Sequence, residues 1–208
     1  YLPSYYADEG VATGVADEWR RGNERYTQVN WDDLFAQNRR SADGAVYALE
    51  ERVERIARSQ LALQMTSYFG REFTLKYGVR AWNYSSRRYK QMDDLLGAAY
   101  VKDIDYYLID DDTYSNNLQN NLLSPDRLVS EGDRFSYDYA LVERGAVANV
   151  GFDYHSSRWQ VDAMLTVGRN NIFRKGYYEK ELFAGKGSMG RSKVSGFNPY
   201  SVKVAAGY

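Results

Sequence analysis

The sequence predicts an all-β chain of antiparallel up-and-down hairpins forming part of a transmembrane β-barrel, with long extracellular loops. Three observations predict it: runs of period two, connections that alternate between short and long, and a composition rich in aromatics but poor in proline. Among 208 residues there are 20 Tyr, 4 Trp and 8 Phe against only 3 Pro, a balance that favours extended structure.

The first pair of strands frames a tight reversal. Leu61, Leu63, Met65 and Phe69 alternate with Ala62, Gln64, Thr66 and Tyr68. After Gly70-Arg71-Glu72, Phe73, Leu75, Tyr77, Val79 and Ala81 alternate with Thr74, Lys76, Gly78 and Arg80. Because successive side chains of a strand point to opposite faces, each run has one apolar face and the two form a hairpin. The stretch before it, Tyr47 to Gln64, is rich in helix formers and carries Glu50 and Glu54 at helical spacing. It is read as strand because its C-terminal half alternates and joins the hairpin, so its charged half projects above the membrane plane.

A second hairpin follows the same rule. Ala146, Val150, Phe152 and Tyr154 oppose Asn149, Gly151 and Asp153, then Trp159, Val161, Ala163, Leu165 and Val167 oppose Gln160, Asp162, Thr166 and Gly168. His155-Ser156-Ser157-Arg158 makes the turn. A fifth run begins at Val202 and is still alternating at Tyr208, so the chain is expected to be a fragment: one partial β-barrel domain over residues 1–208, lacking the remaining strands.

The connections differ by end. The two turns are a few residues long, whereas Arg87 to Arg144 and Gly176 to Ser201 are long, polar and rich in Gly, Asn and Asp, with Gln91 to Leu96 a candidate short helix. Short turns on one side and long loops on the other match a membrane barrel better than a compact sandwich. Tyr68, Phe69, Phe73, Tyr154 and Trp159 cluster at the turns, where an interfacial aromatic girdle belongs.

Several function classes drop out. Lys+Arg 27 against Asp+Glu 28 leaves a net charge of -1, so nothing points to a nucleic-acid backbone. Without cysteine there is no disulfide framework and no thiol nucleophile. No apolar run reaches the roughly 18 residues of a membrane-crossing helix, and no signal-peptide pattern opens the chain. A lone His155 in a turn makes neither a metal site nor a Ser-His-Asp arrangement. Gly185 to Gly190 lacks phosphate-loop spacing. Asp103, Asp105, Asp110, Asp111, Asp112, Asn116 and Asn117 offer oxygen ligands without the order of a calcium loop, and are read as solvated loop charge. Tyr5, Tyr6, Trp19 and Trp31 could stack on a sugar or anchor a peptide, but loop packing is the favoured reading. The sequence therefore nominates no catalytic residue, no metal ligand and no cofactor, and leaves substrate-binding residues unknown.

Three segments carry a family resemblance. RRYKQMDDLLGAAYVKDIDYYLIDDD, from Arg87 to Asp112, resembles a surface-loop segment of TonB-dependent outer-membrane receptors of Bacteroides-like bacteria, with its Asp-Leu-Leu-Gly and Asp-Ile-Asp elements. VNWDDLFAQNRRS, from Val29 to Ser41, looks like another loop of those receptors, with Asn-Trp-Asp followed by an Asn-Arg pair. NPYSVKVAAGY resembles the start of a later barrel strand. The resemblance implies a non-enzymatic segment of a receptor in a Gram-negative outer membrane that imports a glycan, peptide or metal chelate. It also implies outer-membrane lipid around the strands, TonB contacting an N-terminal region and plug domain absent from this chain, and a surface lipoprotein as a further partner. The alternatives are a soluble all-β carbohydrate-binding module and a β-rich hydrolase whose paired carboxylates the sequence cannot pick out.

Overall fold

The computed structural model describes residues 8–208. The chain is mostly antiparallel β-sheet with up-and-down strands, 50% strand and 16% helix, and it divides into two compact units, Tyr1–Leu49 with Asp94–Val101 and Glu50–Asp93 with Lys102–Tyr208.

The larger unit is built on five main strands: β1 (Leu49–Phe69), β2 (Phe73–Asp94), β5 (Arg134–His155), β6 (Gln160–Gly176) and β9 (Tyr200–Gly207). They lie in the order β1-β2-β5-β6, and the far edge of β6 is taken in turn by β7 (Gly190–Arg191), β8 (Ser195–Phe197) and β9. The sheet is open. Two short strands, β3 (Val101–Lys102) and β4 (Leu128–Val129), pair with each other between β2 and β5.

Register turns five separate periodicities into one surface. Phe73, Leu75, Tyr77, Val79 and Ala81 lie directly across from Tyr154, Phe152, Val150, Ala148 and Ala146. Those in turn face Val161, Ala163, Leu165, Val167 and Arg169, and β9 adds Ala206, Val204, Val202 and Tyr200. Directly opposed residues of neighbouring strands share a face, so each period-two run continues its neighbour's. A slip of one residue in any pairing would send that strand's apolar set to the other side.

The strands run farther than their alternating segments. β2 has 22 residues, a length of roughly 70 Å at the usual rise. Residues 87–94 and 134–144, read from sequence as loop, are thus strand. Beyond Ala81 polar, charged and aromatic residues are mixed on both faces of β2, so period two vanishes while the backbone ladder continues. Gln91 to Leu96 is not a helix: Gln91 to Asp94 stay in β2, and Met92 N donates to Asp133 O at 2.9 Å. The helix-forming stretch at Tyr47 to Gln64 is strand, as expected, because its charges are used across the ladder. Lys90 Nζ meets Glu50 Oε2 at 2.7 Å and Arg88 Nη2 meets Glu54 Oε1 at 2.9 Å. Cross-strand pairing outweighs local propensity there.

The smaller unit corrects the all-β expectation. It holds α1 (Glu9–Arg20), α2 (Glu24–Thr27) and α3 (Trp31–Arg40). The segment from Val29 to Ser41, expected as loop, begins with an Asn30 cap that accepts from Asp33 N at 3.3 Å. Asp32 and Asp33 sit in its first turn and Arg39 and Arg40 in its last, which suits the helix dipole. Those start and stop signals are present in the sequence; what hides them is the short apolar stripe between.

Asn38 fastens this unit. It is 2% exposed, its Nδ2 donates to the carbonyls of Tyr47 and Leu95 at 2.7 and 2.8 Å, and its Oδ1 accepts from Val46 N and Tyr47 N at 2.9 and 3.0 Å. Leu96 adopts φ 48° with its N–H held by Asp94 Oδ1 at 2.7 Å, and Leu95 and Leu96 are buried. With the Leu96 carbonyl, 3.2 Å from Nδ2, as a further acceptor, replacing Asn38 by Ala strands five backbone groups, and we expect a loss of about 2–4 kcal/mol. Hydrogen exchange checks it: the Val46 and Tyr47 amides should lose protection while those of β5 and β6 keep theirs.

Candidate functional site

The most extensive surface with a recognisable chemistry is the apolar face of the sheet. Leu61, Val79, Val167, Val202 and Val204 are 75%, 54%, 48%, 66% and 71% exposed. Along β5 from Arg144 to Phe152 the outward residues are exposed and the polar-face residues between them are less so. A soluble sandwich has the opposite arrangement, since its apolar face is the one that is covered. No helix among the described residues is long and apolar enough to cross a membrane, which says nothing of crossing by strands.

Aromatic rings close the face at its short-turn end. Phe73 packs between Phe69 and Phe152, with centroids 5.9 Å apart in both cases, and Trp159 meets Tyr208 at 4.8 Å. Tyr68, 77% exposed at the same level, belongs to the opposite face, near Lys76. The expected girdle residues are therefore gathered at one level, and Tyr208 joins them without having been singled out.

The opposite face carries charge. Asp153 and Asp162 lie directly across from one another, an arrangement that repels unless compensated. Lys76 Nζ provides the compensation at 2.5 Å from Asp153 Oδ2. His155 ends β5 with Nε2 3.8 Å from Asp162 Oδ1. Higher up, Trp82 Nε1 and Asn170 Nδ2 both donate to Glu143 Oε1, at 3.0 and 2.9 Å. Trp82 lies over Gly145, where a Cβ would fall 2.2 Å from the ring.

Above the sheet, buried carboxylates hold the loops. Asp103 is 2% exposed; its Oδ1 accepts from Asn120 Nδ2 at 3.0 Å and from Ser136 N at 2.9 Å. Ser136 has φ 63° at a β-bulge where the β2–β5 register shifts after Tyr89, a conformation unfavourable for a serine. Asp103 thus ties the long loop to the strained residue. Its Oδ2 has no hydrogen-bond donor among the described residues, and the Arg127 guanidinium stands 3.9 Å away. Burial accordingly holds Asp103 above the ordinary aspartate range, against the lowering effect of these hydrogen bonds.

Asp138 is a second anchor. It receives Arg87 through two bonds of 2.8 and 2.7 Å and Arg134 through one of 3.2 Å. Arg87 also lies over the Tyr177 ring and Arg134 over Tyr89, both at 4.0 Å. Neither anchor was singled out as such from sequence, because each depends on partners tens of residues away.

The structure disperses the oxygen-rich cluster. Asp103 is buried, Asp105 faces Lys180 at 3.5 Å, Asp110 accepts from Asn116, and Asp111 accepts from Thr113 N at 2.9 Å. Among the described residues no three acids or histidines come together as a metal cage. Gly185, Gly187 and Gly190 have positive φ in turns that follow a 3-10 turn at Glu181–Phe183, leading into β7 and not into a helix. Trp19 ends α1 and Trp31 opens α3, with 52% and 46% exposure. Tyr5 and Tyr6 lie outside the described residues.

Among family models, curated proteins and solved structures, none matches this chain.

Two outcomes follow for the anchors. Asp138→Asn should cost about 2–3 kcal/mol, below the full figure for a buried pair because the arginines are about one-third exposed; denaturant melts measure it. Asp103 has its pKa raised on folding, so its contribution is complete below the ordinary value of 3.8 and is lost as pH rises through the higher folded value. Relative to wild type, the Asp103→Asn variant should therefore gain stability as pH climbs above 3.8, a difference that melts of both proteins across a pH series would detect.

Proposed function

We propose that this chain is wall and external loop of a β-barrel in the outer membrane of a Gram-negative bacterium, part of a TonB-dependent receptor that imports a glycan, peptide or metal chelate. The single observation that supports the reading is the continuous apolar face, exposed on five adjacent strands and ringed by aromatics at the turns. Its height fits as well. The apolar row of β2 extends from Phe73 to Ala81, in the range of the ~9–11 residues with which a tilted strand crosses a bilayer.

The receptor identity and the imported nutrient rest on the resemblance of residues 29–41 and 87–112. In this reading the strands supply a lipid-facing belt, and the polar face with Lys76, Asp153 and Asp162 lines the interior, where charge is tolerated. The loops anchored by Asp103 and Asp138 form part of the external vestibule. TonB and a surface lipoprotein are partners of the complete receptor, and no bond-breaking step is assigned to these residues.

The belt predicts its own test. Leu165→Arg, in mid-belt, should weaken insertion into phosphatidylcholine vesicles by about 2–4 kcal/mol, whereas Thr166→Arg on the opposite face should change it little. Flotation with vesicles reads both. Monodisperse wild-type chain that stays in buffer and ignores vesicles would overturn the reading.

A further inference from the structure

We propose that the outward face just above the apolar belt, centred on Arg144 and Arg169, docks the phosphorylated anionic headgroups of membrane lipid. The proposal rests on the membrane reading above and adds a partner chemistry to it.

The change from apolar to cationic is abrupt on β5 and β6, and from apolar to polar on β2. On β5 the outward residue following Ala146 toward the loops is Arg144; on β6 the one following Val167 is Arg169; on β2 Ala81 gives way to Asn83. Arg144 lies across from both Asn83 and Asn171, and Arg169 across from Ala146, so the two cations are neighbours on adjacent strands at one level of the same face. Both are exposed. The other end of this face closes on aromatic rings.

Their partners are what set these two apart. Arg144 Nε donates to Asn83 Oδ1 at 2.9 Å, while Arg169 donates through Nε to Asn171 Oδ1 at 3.2 Å and through Nη1 to Asn198 Oδ1 at 3.0 Å. All three acceptors are neutral amides, which orient the guanidinium without cancelling its charge. No carboxylate among the described residues forms an ion pair with either. Arg87 on the same face and Arg88 and Lys90 on the other are, in contrast, each matched to an acid. Arg191, farther up across from Lys175, stacks over Phe173 at 4.0 Å and forms no ion pair to a carboxylate among the described residues.

A guanidinium has five donors in a planar fork. Arg144 uses its Nε alone and Arg169 leaves Nη2 free, so both retain N–H groups for a further acceptor. Phosphate oxygens suit that fork, and a belt seated in hydrocarbon places this level beside the headgroups. Charge complementarity and continuity with the belt therefore select the same occupant.

The test uses the 208-residue chain with vesicles of phosphatidylcholine alone or doped with phosphatidylglycerol, at low and high salt. Tighter, salt-sensitive binding to the doped vesicles is expected, with each arginine contributing about five-fold. The double variant Arg144→Gln, Arg169→Gln should lose most of that preference and bind plain phosphatidylcholine as wild type does; the corresponding double Lys variant should restore much of it. Equal binding of wild type to both vesicles, or a Gln variant with undiminished preference, overturns the headgroup site while leaving the belt standing. Displacement from doped vesicles by millimolar inorganic phosphate, without loss from plain ones, assigns the arginines to free phosphate and also overturns it. Binding to neither vesicle removes the belt and the rim together.

Discussion

Antiparallel register is the constraint on which the rest of this structure depends. Each strand alone offers an apolar stripe one residue wide, which has little hydrophobic value by itself. Because Phe73, Tyr154 and Val161 begin three rows that stay in step through Val79, Ala148 and Val167, the stripes merge into one surface. The polar side chains are forced together on the reverse by the same pairing. That is why Asp153 and Asp162 become neighbours and why Lys76 is needed beside them.

Above that surface the ladder continues but the logic changes. Stabilisation no longer comes from a uniform face but from buried polar anchors, each satisfying several groups at once. Asp103 catches the bulged Ser136, Asp138 gathers Arg87 and Arg134, and in the smaller unit Asn38 joins α3 to Val46, Tyr47 and Leu95. In all three cases the anchor is nearly solvent-free, so its hydrogen bonds face little competition from water and losing one leaves a buried group unpaired. Loops built this way hold a shape without a large apolar core.

Two of these anchors, Asn38 and Asp103, fall within the motifs on which the family resemblance rests, and Asp138 binds Arg87 at the start of one of them. The Asn-Arg pair contains Asn38, Asp-Leu-Leu-Gly contains the Asp94 carboxylate that holds Leu96 N, and Asp-Ile-Asp begins with Asp103. Motifs that look like loop signatures are therefore folding instructions for the loops, whatever the loops bind. The arginine rim belongs to a different category: Arg144 bonds Asn83 across the ladder and lies over the Phe173 ring at 5.6 Å, Arg169 bonds Asn198, and their amide partners leave the charge available.

What the sequence by itself determined is the facing of the strands. Period two is a local property of the backbone, so Phe73, Leu75, Tyr77, Val79 and Ala81 could be assigned to one side with no knowledge of their neighbours, and the short turns at 70–72 and 155–158 followed, the second lying one residue farther on in the structure, between His155 and Gln160. The tertiary structure decided the rest. Strand ends ran past the alternating segments because a ladder does not require an apolar face. Helix α3 escaped notice although its caps were legible, because ten residues give a periodic stripe little room. The partners of Asn38, Asp103 and Asp138 lie up to 58, 33 and 51 residues away in sequence. No local pattern encodes such distances; only a chain already folded brings those groups within hydrogen-bond reach.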